Sequence, residues 1–138
     1  MEAKPGQTIF FSASDFKTTN KALDRVRREL GKMLNLYNED DLALLWVVDF
    51  PFFEKDDLGN WTFTHNPFSM PNPEFIEDHL NGKNLANIKA LQYDLVMNGN
   101  EIGGGSVRAH LPRILEATYR NMGYTEAETQ KSVGHMLA

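Results

Sequence analysis

With 138 residues, 41% of them hydrophobic and 11% aromatic, the chain can build one globular domain, or one domain and a piece of another, and is too apolar to be disordered. A formal net charge of -5 argues against a main role in coating nucleic acid, and the absence of cysteine excludes disulfides, thiolate zinc sites and cysteine nucleophiles. No apolar run reaches the roughly 18 residues of a membrane span, and "MEAKPGQTIF" has no signal core, so a soluble cytoplasmic protein with no membrane partner is expected.

In chain order, "QTIFFSAS" predicts a short strand through Ile9, Phe10 and Phe11. Ser14 or Asp15 then caps a helix reaching about Leu34, with Ala22, Val26, Leu30, Met33 and Leu34 as its buried stripe. Arg25, Arg27 and Arg28 stand beside Asp24 and Glu29 without interleaved aromatics, which reads as a solvated face rather than an RNA-binding one. "LYNEDD" is a polar break that separates a module at 1–37 from one at 38–138. "LALLWVVDFPFFE" is apolar on both faces, the pattern of a central strand in a buried sheet, with its ladder interrupted or bulged at Pro51. "KDDLGN" turns the chain, and "WTFTHNPF" returns antiparallel. After the loop "SMPNP", Asn72 caps a short helix, "PEFIEDHL", and "NGKNLANIK" is irregular.

"YDLVMNGNEIGGGSVRAH" raises a spacing problem. Asp94, Glu101 and Arg108 are seven residues apart, which fits neither a helix face nor a straight strand face. Asn98-Gly99 solves half of it, because both residues tolerate the positive φ of a tight hairpin turn. Folding there sets Met97 against Asn100, Val96 against Glu101, Leu95 against Ile102 and Asp94 against Gly103. Asp94 and Glu101 then share a face as diagonal neighbours, roughly 7 Å apart at their β-carbons. Two such carboxylates suit one Mg²⁺ whose octahedron is completed by substrate phosphates. Gly103 and Gly105 on the same face would leave room for a substrate. Arg108 needs one β-bulge, expected in the glycine run, to reach the Glu101 side.

"LPRILEATYRNMGY" predicts a helix with a stripe of Ile114, Leu115, Thr118, Tyr119 and Met122, ended by Gly123. Thr125 and Glu128 form a capping box for a last helix running uncapped to Ala138. His65 is a second candidate for the site. His110 with Asp94 and Glu101 could be read as zinc or manganese ligands, without an HExxH-type spacing to support them. His79 and His135 fall on expected helices and suggest no role.

"LWVVDFPFFE", "THNPFSMP", "YDLVMNGNEIGGGSVRAH" and "MGYTEAETQKSVGHML", in this order, closely resemble the bacterial-type aspartyl-tRNA synthetase family. The resemblance implies an α+β fold, an antiparallel sheet flanked by helices, as an incomplete class II catalytic domain over 38–138. It also implies that 1–37 is the end of the insertion domain. Glu101 would contact ATP and its Mg²⁺, with Asp94 at the metal. Arg108 would bind the side-chain carboxylate of substrate aspartate, and His65 would face the same amino acid. The implied partners are aspartate and tRNA(Asp), and the full-length enzyme would be a homodimer.

The sequence departs from the family pattern at Asn66, where a second histidine is usual, at Asn100, where an aromatic is, and at Ala109, where an aliphatic is. The family's anticodon-binding barrel, dimerisation motif, ATP-binding loop arginine and "GLDR"-like motif have no counterpart here. A fragment inactive alone, with exposed sheet edges, is therefore the expectation. A non-catalytic binding module and an unrelated metal-dependent hydrolase built on Asp94, Glu101 and His110 are the alternatives.

Overall fold

The computed structural model describes residues 3–38 and 40–137. They form two compact units, divided just past the polar "LYNEDD" break, between Leu42 and Ala43.

The first unit is built on helix α1, Phe16–Met33. Asp15 caps it, accepting from the Thr18 N–H at 2.9 Å. Asp24 pairs with Arg27 at 2.7 Å and Arg28 at 2.9 Å, so these arginines do belong to a solvated face. The expected stripe is not buried. Val26 and Leu30 are half-buried, while Met33 and Leu34 are 77% and 61% exposed. A helix buries its apolar face only against another layer, and the described part of this unit supplies none. "QTIFFSAS" is not a strand either: it finds no ladder partner, and Phe10 and Phe11 stay exposed.

The second unit holds a three-stranded antiparallel sheet in the order β1-β4-β5, a two-stranded ribbon β2-β3, and helices α2 to α4. Strand β1, Leu44–Pro51, is an edge strand rather than a central one. Among the described residues it pairs with β4, Lys89–Met97, alone, and Leu44, Leu45, Trp46, Val47 and Val48 are exposed. An apolar run specifies a strand but not what covers it. Its ladder slips between Val48 and Phe50, where Asp49 has φ 59°, and β1 stops at Pro51, which has no N–H to continue it. β2, Phe53–Lys55, pairs with β3, Trp61–Phe63, as the "KDDLGN" turn requires.

Phe52, Phe53, Ile88 and Ala90 form the main core, with Trp61, Phe75, Leu85 and Met122 packed against it. Helix α2, Ile76–Asn81, follows a 3-10 turn over Pro73–Phe75. Asn72 does not cap it with its side chain, which instead donates to Asp49 Oδ1 at 2.9 Å. "NGKNLANIK" is more ordered than expected: Gly82 ends α2 with φ 66°, Leu85–Asn87 make a 3-10 turn, and Ile88 is fully buried.

Helix α3, Pro112–Asn121, buries Ile114, Leu115, Ala117, Thr118 and Tyr119 and gives way at Gly123, whose φ is 89°. Helix α4, Glu126–Val133, opens with both halves of the Thr125–Glu128 capping box. It closes in a 3-10 turn, Gly134–Met136, rather than running on to Ala138, which lies outside the described residues.

Candidate active site

The hairpin joining β4 to β5, Asn100–Ser106, places the acidic residues. Asn98 and Gly99 have φ 50° and 82°, the left-handed turn their sequence demands. Asn98 also ties the turn to the start of β1, accepting from the Ala43 N–H at 2.9 Å. Met97 lies opposite Asn100 and Val96 opposite Glu101, as the spacing requires. Leu95, however, lies opposite Gly103, so Ile102 is the extra residue of a bulge. The bulge comes earlier than the glycine run, and this changes which glycine matters. Gly104 is the partner of Asp94, while Gly103 and Gly105 face away with Leu95 and Tyr93.

A β-carbon built on Gly104 would lie 2.5 Å from Asp94 Oδ1 and 3.0 Å from Glu101 Oε1. Both carboxylates therefore close over the one glycine of the run that lies on their own face of the sheet. Asp94 is half-buried and Glu101 exposed. Two acids at such a point fit one or two inner ligands of a Mg²⁺ that keeps water or phosphate oxygens for the rest. They do not make an all-protein cage. Among the described residues no group of three or more His, Asp or Glu side chains is arranged to hold a metal. His110 turns instead to the Arg108 carbonyl at 3.2 Å, so the zinc or manganese triad with Asp94 and Glu101 does not form.

The same bulge shifts the alternation beyond it. Counting on from Gly104, Ser106 and Arg108 come to the Asp94 side, as the spacing argument required. Ser106 lies opposite Gln92, and Arg108 bridges Ser69 just past the end of β5. No ion pair joins Arg108 to an acid among the described residues; its Nη1 reaches the neutral Asn66 Oδ1 at 3.5 Å. Asn66 Oδ1 also accepts from the Phe68 N–H and from Ser69 Oγ, both at 3.0 Å. Gln92 Nε2 donates to Ser69 Oγ at 2.9 Å. Gln92 Oε1 and Ser106 Oγ are buried without a partner, two polar atoms left over on the face that carries Asp94.

His65 is exposed, with its ring 5.5 Å from that of Phe50. The neighbour that touches Arg108 is Asn66, not His65. Asn66, Ser69, Gln92 and Gly104 are the residues that spacing did not single out. Asn66 stood out as a departure from the family pattern and Gly104 as part of the glycine run, while Gln92 is a polar side chain two residues before Asp94 in an apolar strand.

Residues 9–138 match the family model of the class II tRNA synthetases (D, K and N), and the chain belongs to that family. It is similar to the aspartate–tRNA ligase of Lactiplantibacillus plantarum, 37% identical over 136 residues, which covers 98% of this chain and 23% of that protein. The aspartate–tRNA(Asp/Asn) ligase of Corynebacterium diphtheriae is 40% identical over 146 residues, covering 98% and 24%. The chain thus spans about a quarter of the length of these curated relatives. No helix among the described residues is long and apolar enough to cross a membrane.

Proposed function

We propose that residues 38–138 carry part of the amino-acid-activating site of an ATP-dependent aspartate–tRNA ligase, and that 1–37 end its insertion domain. The convergence of Asp94 and Glu101 over Gly104, with Arg108 falling on the same side by the alternation that continues past the bulge, supports this reading. An oxygen of the aspartate α-carboxylate would attack the α-phosphorus of ATP. The bond to the β-phosphate oxygen breaks, and pyrophosphate leaves. A terminal ribose hydroxyl of the tRNA then attacks the acyl carbon, releasing AMP.

Asp94 and Glu101 would hold Mg²⁺, whose charge neutralises phosphate oxygens, while Glu101 also orients the nucleotide. Arg108 would take the aspartate side-chain carboxylate in a two-bond fork, and His65 would border the amino acid. The reaction needs positioning and charge stabilisation more than a nucleophilic side chain. A homodimer acting on tRNA(Asp) in the cytoplasm is part of the same reading, and the relatives' Asp/Asn names leave asparagine tRNA as a second acceptor to assay.

The test is aspartate-dependent exchange of pyrophosphate into ATP by the whole native polypeptide that bears this segment. Exchange with aspartate but not with asparagine or lysine is expected; none with aspartate, or equal exchange with all three, overturns the reading. Residues 1–138 alone are expected to give no exchange, since this reading commits the Arg108 guanidinium to aspartate and assigns none to the phosphates, and losing one preorganised donor already costs about 2.7 to 4 kcal/mol.

Gly104→Ala gives a second expected outcome. The new methyl would press on both carboxylate tips, which are flexible, and lie 3.3 Å from the Tyr93 carbonyl oxygen, which must give slightly, so the thermal midpoint should fall only a little. The displaced acids should weaken use of Mg²⁺-ATP on the order of 10- to 100-fold, read as the Mg²⁺ dependence of exchange.

A further inference from the structure

Among the described residues the side-chain partner of the Arg108 cation is the neutral Asn66, at 3.5 Å, and Asn66 is itself held by further hydrogen bonds. Three donors face Asn66 Oδ1: the Phe68 N–H, Ser69 Oγ and Arg108 Nη1. The N–H and the guanidinium can only donate, so the amide must present its oxygen there. Ser69 is fully buried and is held in turn by Gln92, which is 5% exposed. The backbone around them is fixed on both sides. Ala109 N–H donates to Phe68 O, Met70 N–H to Val107 O and Leu91 N–H to Met70 O, each at 2.8 Å. The relay therefore rests on strand β4 at one end and on the segment after β5 at the other.

We infer that Asn66, braced by Ser69 and Gln92, is the positioning residue for Arg108, orienting the guanidinium without neutralising it. A carboxylate in the same place would pair with Arg108 and compete with the substrate carboxylate. An amide oxygen orders the fork yet leaves its whole charge for the ligand. The inference rests on the proposed aspartate site and adds how that site is kept selective for an acidic side chain. It concerns a residue that acts through Arg108 rather than on the substrate.

The test compares aspartate and ATP affinities, by calorimetry, and thermal midpoints in the whole native polypeptide and its variants. Asn66→Asp changes one atom and adds one charge. Aspartate affinity should fall about 10-fold or more, with ATP affinity and thermal midpoint unchanged, a split that a purely structural role would not produce. Gln92→Met, which keeps the volume and removes the donor, should weaken aspartate about threefold, and it decides the matter if Asn66→Asp lowers the midpoint. Arg108→Ala separates the two levels of the argument. If it abolishes aspartate binding while Asn66→Asp and Gln92→Met bind normally, the positioning role is wrong and the site stands. If the unsubstituted polypeptide binds no aspartate, or Arg108→Ala binds it normally, the site and the inference fall together.

Discussion

Glu101→Gln should lower aspartate-dependent pyrophosphate exchange by at least about 100-fold, which corresponds to roughly 2.7 kcal/mol of transition-state stabilisation. The substitution keeps the size of the side chain and its place opposite Val96, and removes only the charge that meets Asp94 over Gly104. Asp94→Asn should cost less, on the order of 10-fold, because a Mg²⁺ with several water and phosphate ligands tolerates the loss of one carboxylate better when the other stays. The double variant should cost less than the product of the two, since both acids would act on one cation. Raising Mg²⁺ should recover part of the Asp94→Asn loss. An unaltered Mg²⁺ requirement in both single variants would sink the metal assignment while leaving the fold untouched.

The second large effect concerns stability. His79 is fully buried and packs against the adjoining rings of Phe52, at 4.8 Å, and Phe53, at 5.6 Å. Its Nε2 lies 2.9 Å from Thr118 Oγ1 and 3.2 Å from the Ile114 carbonyl, while Thr118 itself donates to that carbonyl. Nε2 must therefore carry the proton, and Nδ1 is left bare and buried without a partner. Protonating Nδ1 would bury both a charge and an unpaired donor. Burial pushes the His79 pKa down, the Ile114 carbonyl opposes that in part, and Arg120 nearby adds to it.

A folded-state pKa below the unfolded one means that the unfolded chain binds the extra proton first. Stability is thus full above about pH 6.5, the ordinary histidine value, and declines as pH falls below it, by up to about 1.4 kcal/mol per pH unit. His79→Leu should flatten that decline at small cost at pH 8, since Thr118 and Ile114 still satisfy each other. His79→Ala should cost about 3 to 5 kcal/mol by opening a cavity beside two phenylalanines. Urea unfolding between pH 5 and 8 measures all three proteins; an unchanged slope in His79→Leu would assign the acid sensitivity to another group.

The hairpin was readable because it is local: Asn98-Gly99 states its own turn, and two residues of register follow from it. The need for a bulge was readable too, from the odd separation of Glu101 and Arg108. Its position was not, because three glycines invited it and Ile102 took it, so Gly104 rather than Gly103 and Gly105 came to lie beside the acids. The Arg108–Asn66–Ser69–Gln92 relay draws on residues up to 42 apart, and no periodicity relates them. Trp46 and its neighbours mark a strand plainly, yet nothing in their order tells whether that strand is flanked on both sides. His79 looked idle because a helix position alone does not reveal the two phenylalanines packed against it.

The extra residue at Ile102 makes the count of residues between Glu101 and Arg108 a constraint in its own right. Chemical identity inside that stretch can vary wherever no atom is close by, but length cannot, because dropping or adding one residue inverts every side chain downstream. A homologue with one residue more or fewer there would send its arginine to the far surface while retaining the recognisable letters of the motif. Such a sequence would still look like a member of this family and would have lost the reason for the likeness.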